Sequence, residues 1–239
     1  MSGPVLREVN GKVKGGKKVR RGSRGKHKFQ SKLKLVGVNC NGVSSKYASL
    51  DHIIADLKPS IICLQETRLR SKGKFKSENT NLYNIYETVR SNRGGGGLAT
   101  LIKPELGPAW ISEGDDEVEI LVVQVHIGDS AIRVINAYGP QETDSQEKKA
   151  MFWSRLSQEV ADCAEEGVAC IIQMDGNLHA KLVPGDPCEI NQNGKLFRTF
   201  LANNEFLSVL NMSRKCSGTI TRSRLKGDKC GEDSHERRS

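Results

Sequence analysis

The sequence predicts an α/β fold in which two packed β-sheets lie between helices. Short apolar runs of strand length, amphipathic segments of helical period and their loose alternation along the chain all favour this class. With 239 residues the chain is long enough for one domain with a substantial core, together with terminal tails. We expect the folded domain to span residues 31–222.

Nine runs have the length and composition of strands. Two of them, 118–127 and 131–137, are joined by Gly128-Asp129-Ser130, which predicts a β-hairpin. The run 168–174 is mostly apolar and partly β-branched, which is typical of a strand covered on both faces. The other predicted strands are 33–38, 60–64, 82–89, 97–102 and 206–210, with a last one beginning at 218–222.

Three segments have the spacing of amphipathic helices. The first is predicted at 44–57 with Ser44 or Ser45 as its N-cap, and the third at 194–203. The second begins at residue 144 or 145 and ends at 165, and its Phe152-Trp153 pair is better explained by core packing than by base stacking. Its predicted inward residues are Met151, Phe152, Leu156, Val160 and Cys163.

Two connections are rich in polar residues or glycine. Residues 71–81 are predicted to form a polar loop of Lys, Ser and Asn. The segment 90–97 combines two arginines with four consecutive glycines. A glycine run beside arginines can wrap a phosphate group, although such a run is more often a plain flexible connection.

Charge is distributed unevenly along the chain. Residues 1–34 carry a net charge of +11 and residues 214–239 a net charge of +4, whereas the whole chain carries +9, so the body between them is acidic. Residues 1–30 are rich in Gly and Lys with few large apolar side chains, which predicts a disordered basic tail. The run Lys17-Lys18-Val19-Arg20-Arg21 fits a phosphate-backbone contact or a nuclear address, and a plain solvated tail fits equally well.

Hydropathy and cysteine content bear on the compartment. No apolar stretch approaches the roughly 18 residues of a membrane span, and the N-terminal segment lacks an apolar signal core. The seven cysteines are odd in number and have no paired C-x-x-C spacing, which favours free thiols in a reducing compartment over a zinc site or a disulfide framework. We therefore expect an intracellular, nuclear protein without membrane contact.

Four of the predicted strands lead directly into polar segments. These segments are Asn39-Cys40-Asn41-Gly42, Gln65-Glu66-Thr67-Arg68, Tyr138-Gly139-Pro140-Gln141 and Asp175-Gly176-Asn177. Asp-Gly-Asn alone is also a common turn sequence. Because four strands end in polar segments of this kind, however, we favour a shared crevice beyond the carboxyl ends of the strands. Oxygen donors of this type suit Mg²⁺ or Mn²⁺, although they do not identify the reaction.

The same segments resemble the motifs of the endonuclease/exonuclease/phosphatase superfamily, in the same order along the chain. The likeness is greatest to the endonuclease domain of LINE-type retrotransposons, as suggested by Glu66-Thr67-Arg68-Leu69, the glycine run before Leu98-Ala99, and Asn193-Gly194-Lys195-Leu196. It covers roughly residues 33–222. The resemblance implies a four-layer α/β sandwich, with two mixed or antiparallel β-sheets flanked by helices.

The resemblance also implies a role for each site residue. Glu66, together with Asn39, would hold the divalent metal. Asp175 would orient or deprotonate the attacking water, and Asn177 with Asn39 would position water, metal and phosphate. Tyr138 would bind the substrate by donating to a phosphate oxygen, or would support the leaving group. One metal and one base would then act on opposite sides of the same phosphorus.

The C-terminal part of the sequence departs from the superfamily pattern. Thr219 is a further candidate for substrate binding, with Thr221 competing for the same alignment. The superfamily normally continues with Ser-x-Ile-Asp and Ser-Asp-His, and neither occurs here; residues 223–239 are polar and predicted to form a disordered tail. We therefore expect a fold that is incomplete at the C-terminus and a nuclease that is weak or inactive.

The leading hypothesis is a DNA endonuclease domain of retroelement type, a metal-dependent phosphodiesterase with water as its nucleophile. The basic ends would attract the DNA phosphate backbone, and a monomer is the expected state. Two alternatives remain open. One is a non-catalytic nucleic-acid-binding remnant, which would bind equally well in chelator, and the other is a phosphatase of the same superfamily.

Overall fold

The computed structural model describes residues 5–9, 33–75, 77–90, 95–115, 117–181, 189–207, 209 and 216–217. These residues form ten β-strands and three α-helices. The strands are β1 Val5–Val9, β2 Leu33–Asn39, β3 Ile61–Gln65, β4 Asn84–Thr88, β5 Leu98–Ile102, β6 Ala109–Glu113, β7 Glu119–Ile127, β8 Ser130–Tyr138, β9 Ala169–Asp175 and β10 Cys216–Ser217. The helices are α1 Tyr47–Leu57, α2 Gln146–Glu165 and α3 Gln192–Asn203.

The strands form two mixed sheets. The first has the order β10-β1-β2-β3-β5-β4 and the second the order β6-β7-β8-β9. Each sheet contains one parallel pair, β2 with β3 and β8 with β9, and the remaining pairs are antiparallel. Because the strands of a parallel pair end at the same edge, each sheet brings two strand ends side by side.

The helices cover the outer faces of the two sheets, which confirms the predicted four-layer sandwich. Between the sheets, Leu35 and Ile61 of the first sheet pack with Val123 and Val134 of the second. The outer face of the first sheet packs against Leu50 and Ile54 of α1. The outer face of the second packs against α2 and α3, whose buried residues include Phe152, Trp153, Leu156, Val160 and Phe200. The core assignment of Phe152-Trp153 is therefore confirmed.

A buried polar junction joins the two sheets. The side chain of Asn136 on β8 is fully buried, and its Nδ2 donates to the carbonyls of Leu64 (3.2 Å) and Ala99 (3.0 Å) in the first sheet. Its Oδ1 accepts from Gln65 Nε2 at 2.7 Å. A buried polar group left without partners costs about 1–3 kcal/mol, so these bonds favour one relative position of the sheets. Gln65 immediately precedes Glu66, and Asn136 lies two positions before Tyr138, so the junction borders two of the predicted site residues.

The start of α1 differs from the prediction. The predicted cap residues lie in a short 3₁₀ turn, Val43–Ser45, and the helix begins at Tyr47 with Lys46 as an N-cap whose side chain does not cap the helix. The reason is that Gly42 N donates to Glu66 O (2.8 Å) and Val43 N to Thr67 O (3.0 Å). These bonds hold the connection beside the end of β3, and the helix starts only after it.

Helix α2 agrees with its prediction at both ends. It spans Gln146–Glu165, and Ser145 caps it by accepting from Lys148 N at 3.1 Å. The inward assignment of Met151 is wrong, because its side chain is 45% exposed. It lies beside the stripe of Phe152, Leu156 and Val160 that faces the second sheet.

Two strands and one loop also differ from the prediction. Strand β6 was not predicted, because it is an exposed edge strand without apolar alternation. The predicted polar loop at 71–81 ends in a 3₁₀ helix, Glu78–Leu82. Strand β9 is only partly buried, since it lies at the edge of its sheet and pairs with β8 alone among the described residues.

The predicted strand at 206–210 is wrong at its start. Phe206 lies in a turn closed by Leu207 N donating to Asn204 O (2.9 Å), and its side chain is 63% exposed. Residues 208 and 210 and the predicted strand at 218–222 lie outside the described residues.

Part of the predicted disordered tail is ordered in the structure. Val5–Val9 form β1, which pairs antiparallel with β2 and with β10. The prediction is therefore wrong for these five residues. The open edge of β2 offers backbone hydrogen bonds to a neighbouring extended segment, and Val-Leu-Arg-Glu-Val contains the β-branched residues that favour such a conformation. The remainder of 1–30 lies outside the described residues.

Two further findings concern the helices and cysteines of the described ranges. None of the described helices is both long and apolar enough to cross a membrane. Among the described residues, Cys40, Cys63, Cys163 and Cys170 are not joined in disulfides.

Candidate active site

Four side chains from the carboxyl ends of both parallel pairs meet at one edge of the sandwich. Asn39, at the end of β2, donates from Nδ2 to Glu66 Oε1 (2.8 Å) and to Asp175 Oδ2 (2.7 Å). Tyr138, at the end of β8, donates its hydroxyl to Glu66 Oε1 at 2.8 Å. One amide therefore joins the two carboxylates, although Asn39 and Asp175 lie 136 positions apart in the sequence.

The backbone around Glu66 turns sharply at the end of β3. Glu66 and Arg68 have φ values of 51° and 53°, a left-handed conformation that costs a non-glycine residue about 1–2 kcal/mol. Hydrogen bonds on one side hold this turn: Thr67 N donates to Gly97 O (3.0 Å) and Arg68 N to Gly96 O (2.8 Å). The described glycines Gly95–Gly97, here called the glycine segment, thus form one wall of the site.

Glu119, at the start of β7, holds the glycine segment in place through its buried carboxylate. Its carboxylate is 5% exposed and accepts from Gly97 N and from Arg90 Nη2. Gly97 has a φ of 84°, and a Cβ there would lie 2.6 Å from Thr67 Oγ1, so a larger residue does not fit. Sequence analysis favoured a plain connection here. The described part, Gly95–Gly97, instead makes specific contacts that shape the Glu66 turn.

The Asp175 turn is tied to the Tyr138 turn. Asn177 adopts a φ of 46°, and its backbone N donates to Asp175 Oδ1 at 3.2 Å. Its side-chain Nδ2 donates to Gly139 O (2.8 Å), and Gly139 N donates to Asp175 O (2.7 Å). In this geometry the Asn177 amide joins two loops of the site.

Two asparagines at the start of α3 hold these loops. Of the two, only Asn193 appears in the sequence analysis, as part of the resemblance, and Asn191 was missed. Asn191 caps α3 by accepting from Gly194 N (2.8 Å), and its Nδ2 donates to Asn177 O (3.0 Å). Asn193 is fully buried and donates to Pro140 O at 2.5 Å. The recognisable signal was Asn191 as an N-cap candidate three residues before Gly194.

The electrostatics of the site favour an ionised Glu66. Burial opposes its ionisation, but the hydrogen bonds from Asn39, Arg68 and Tyr138 outweigh burial and lower the pKa of Glu66 below its ordinary value. Burial, together with the neighbouring Glu66 carboxylate, raises the pKa of Tyr138 to about 12. The Tyr138 hydroxyl therefore remains a proton donor at neutral pH.

The thiol of Cys40, which follows Asn39, is not a nucleophile in this environment. Burial and the nearby Glu66 carboxylate raise the pKa of Cys40 to about 12. The thiol is therefore protonated at neutral pH, and the nucleophilic form is the thiolate.

Comparison with known proteins identifies the family. The profile of the Endonuclease/Exonuclease/phosphatase family matches residues 37–231. The chain belongs to this family. No curated protein matched the sequence.

Solved structures share the fold of this family member. An AP endonuclease from Archaeoglobus fulgidus superposes with a TM-score of 0.56 at 20% identity, over 72% of this chain and 70% of that one. The 3'-5' exonuclease NExo from Neisseria meningitidis gives 0.57 at 17% identity, over 71% of each chain. The endonuclease domain of TRAS1, a telomere-specific non-LTR retrotransposon, gives 0.51 at 13% identity, over 72% and 70%.

The oxygen ligands that this site offers suit a hard divalent cation. Within the described residues no group of three or more His, Cys, Asp and Glu side chains could hold a metal ion. Mg²⁺ does not need such a group, because it usually takes one or two carboxylates and keeps several waters. Glu66 and Asp175, joined by the Asn39 amide, supply two carboxylates, and the lowered pKa of Glu66 keeps that ligand ionised.

Five of the six predicted site residues lie within the described part of the chain. The structure brings Asn39, Glu66, Tyr138 and Asp175 into direct or shared hydrogen bonding, and it places Asn177 on the adjoining loop. Thr219 and its competitor Thr221 lie outside the described residues.

Proposed function

We propose that this chain is a metal-dependent phosphodiesterase of the retroelement endonuclease type, which hydrolyses DNA with water as the nucleophile. The observation that supports it is the convergence of Asn39, Glu66, Tyr138 and Asp175 at the carboxyl ends of two parallel strand pairs. These residues supply a metal ligand, a base and a proton donor within one crevice, which is the set that hydrolysis of a phosphodiester requires.

Glu66 and Asn39 would hold the divalent ion, Mg²⁺ or Mn²⁺. When bound, the ion supplies Lewis-acid polarisation of the phosphate and stabilises charge on the leaving oxygen. Asp175 orients or deprotonates the attacking water. Its Oδ2 accepts from Asn39 and its Oδ1 from Asn177 N, so the carboxylate is fixed and retains unused acceptor positions for water.

The remaining residues bind the phosphate. The protonated Tyr138 hydroxyl donates to a phosphate oxygen, at the cost of its bond to Glu66. Asn177 fixes the loop that carries Asp175 and presents its amide beside the phosphate. Thr219 remains a proposed substrate contact.

The proposed partner is DNA, bound by a monomer. The net charge of +11 over residues 1–34 offers non-specific attraction to the phosphate backbone, and binding should weaken steeply with salt. A solved structure of NExo is described as bound to a product DNA hairpin, which is consistent with a DNA substrate for this fold. The basic run at 17–21 would also direct the protein to the nucleus.

We further propose that turnover by this sequence is low. Residues 223–239 contain no Ser-x-Ile-Asp or Ser-Asp-His segment, so the aspartate and histidine that complete the superfamily site have no counterpart there. Loss of a catalytic partner of this kind typically lowers rates by about 10²–10⁴-fold.

A plasmid-nicking assay tests the proposal. Supercoiled DNA is incubated with the chain in Mg²⁺, in Mn²⁺ and in chelator, with Glu66→Gln as the matched control. Slow, metal-dependent nicking that Glu66→Gln abolishes supports the nuclease. Rapid nicking that the same variant abolishes would contradict low turnover. DNA retention that is equal with metal and chelator, without nicking, would instead identify the non-catalytic binder.

A substrate comparison separates the third possibility. Hydrolysis of inositol phosphates or phospholipids in preference to DNA would identify a phosphatase and overturn the DNA assignment. Both assays use the full chain, since the basic segments belong to the proposed DNA contact.

A further inference from the structure

Arg68 places a guanidinium directly on the proposed metal ligand. Its Nη2 lies 2.8 Å from Glu66 Oε2, and the side chain is 47% exposed. The backbone of Arg68 is fixed by its bond to Gly96 O and by its left-handed conformation. The turn therefore holds Cα of Arg68 in place while the long side chain extends into solvent-accessible space.

The hydrogen bonds of Glu66 leave one oxygen for a cation. Among the described residues, Oε1 accepts from both Asn39 and Tyr138, whereas Oε2 accepts from Arg68 alone. A carboxylate has about four acceptor positions, two on each oxygen. As long as Tyr138 keeps its bond to Oε1, before a phosphate binds, the remaining position lies on Oε2, the same atom that the guanidinium contacts.

A divalent cation and the guanidinium would repel each other if both contacted Glu66 Oε2. Arg68 has the freedom to move, because its side chain is half exposed and its ion pair is of the exposed type that contributes little to stability. The planar guanidinium fork matches two oxygens of a phosphate, which is the anion that enters the site with the proposed substrate.

We propose that Arg68 is an exchangeable counter-ion: it neutralises Glu66 in the cation-free protein and transfers to a substrate phosphate when a divalent cation binds Glu66. This inference rests on the proposed function, since it requires a cation at Glu66 and a phosphate beside it. It adds a phosphate-binding residue to the site and couples cation binding to substrate binding.

The first test measures cation affinity without DNA. Mn²⁺ is titrated into the full chain by electron paramagnetic resonance, for the wild type and for Arg68→Ala, Arg68→Lys and Arg70→Ala. Arg70 is exposed and has the same charge, so its variant controls for the loss of one positive charge. We expect Arg68→Ala to bind Mn²⁺ about two- to fivefold more tightly, as the loss of a competing exposed ion pair implies. Arg68→Lys and Arg70→Ala should stay near the wild type.

The second test measures DNA affinity with and without the cation. A duplex oligonucleotide with a phosphorothioate linkage is titrated in Ca²⁺ and in chelator. Arg68→Ala should weaken binding in Ca²⁺ by about tenfold, as loss of a bidentate phosphate contact implies, and have little effect in chelator. Arg70→Ala should change both conditions equally.

The outcomes distinguish this inference from the proposed function. If the wild type binds no Mn²⁺, or if Glu66→Gln binds it equally well, the proposed function fails. If Glu66 is required but Arg68→Ala leaves Mn²⁺ affinity unchanged, the counter-ion exchange is wrong. An equal loss of DNA affinity in Ca²⁺ and chelator would also overturn it, because Arg68 would then be a cation-independent contact. If Arg68→Ala unfolds, Arg68→Lys still tests the inference in the DNA titration: without the guanidinium fork, it should weaken binding in Ca²⁺ but not in chelator, and unchanged binding in Ca²⁺ would overturn the inference.

Discussion

Two glutamate–arginine pairs lie on either side of the same glycine segment, and the pKa values of their glutamates are shifted in opposite directions. Glu66 pairs with Arg68 at the open edge of the site, and Glu119 pairs with Arg90 beneath it. The pKa of Glu66 is lowered, because three side-chain donors outweigh partial burial. The pKa of Glu119 is raised, because burial outweighs Arg90 and the Gly97 backbone N–H.

The difference separates a chemical role from a structural one. The Glu66 side chain is 15% exposed and stays ionised, so it is suited to bind a cation. The Glu119 side chain is 4% exposed, and its acceptor oxygens hold Gly97 and Arg90 in place. Proximity to an arginine therefore does not decide the direction in which the pKa of a carboxyl group is shifted. The number of hydrogen-bond donors and the depth of burial decide it.

The largest expected effect separates the two glutamates by activity. Glu66→Gln removes the proposed metal ligand, and we expect nicking to fall by about 100-fold or more. Glu119→Gln keeps an oxygen that can accept from Gly97 N and should stay within about tenfold of the wild type. The measurement is the initial rate of plasmid nicking in Mn²⁺. A folded Glu119→Gln protein as inactive as Glu66→Gln would show that the two sites are not functionally distinct.

The next effect concerns stability. Glu119→Ala removes the acceptors of both Arg90 and Gly97 N, and breaking a buried pair in this way costs about 3 kcal/mol. Glu119→Gln should cost less than Glu119→Ala, because its amide oxygen can still accept from Gly97 N. Urea denaturation measures both changes. Glu117→Ala, an exposed neighbour, is the control, with an expected change below about 0.5 kcal/mol.

The same pair of glutamates shows how far sequence reasoning reaches. Glu66 was predictable, because it follows an apolar strand within a family motif, and the other strand ends supplied its partners. Glu119 was not predictable: in Asp115-Asp116-Glu117-Val118-Glu119 it is one of several acidic residues. Only the pairing of β7 with β8 and the fold of the glycine segment turn it inward.

A similar limit applies to the fold. Period and composition predicted the buried strands, the hairpin and helix α2, because apolar alternation and N-cap chemistry are local signals. They missed β6 and misplaced the start of α1, which depend on contacts distant in sequence. The left-handed turn at Glu66 is of this second kind, since the glycine segment that stabilises it lies about 30 positions later.

The smallest expected effect is a pH dependence of opposite sign at the two glutamates. Glu66 has a folded-state pKa below its ordinary value of 4.5, so its contribution to stability is present above pH 4.5 and is lost as the pH falls through the folded pKa. Glu119 has a folded-state pKa above 4.5, so its contribution is present below pH 4.5 and is lost as the pH rises through that pKa.

Thermal unfolding of the wild type, Glu66→Gln and Glu119→Gln between about pH 3.5 and 7 measures this difference, with the pKa directions setting the window. Relative to Glu66→Gln, the wild type should lose stability on acidification; relative to Glu119→Gln, it should gain stability. Parallel curves for the two variants would mean that burial and hydrogen bonding do not shift the two pKa values in opposite directions. The proposal that Glu66 is a ligand ionised at neutral pH would then lose its electrostatic basis.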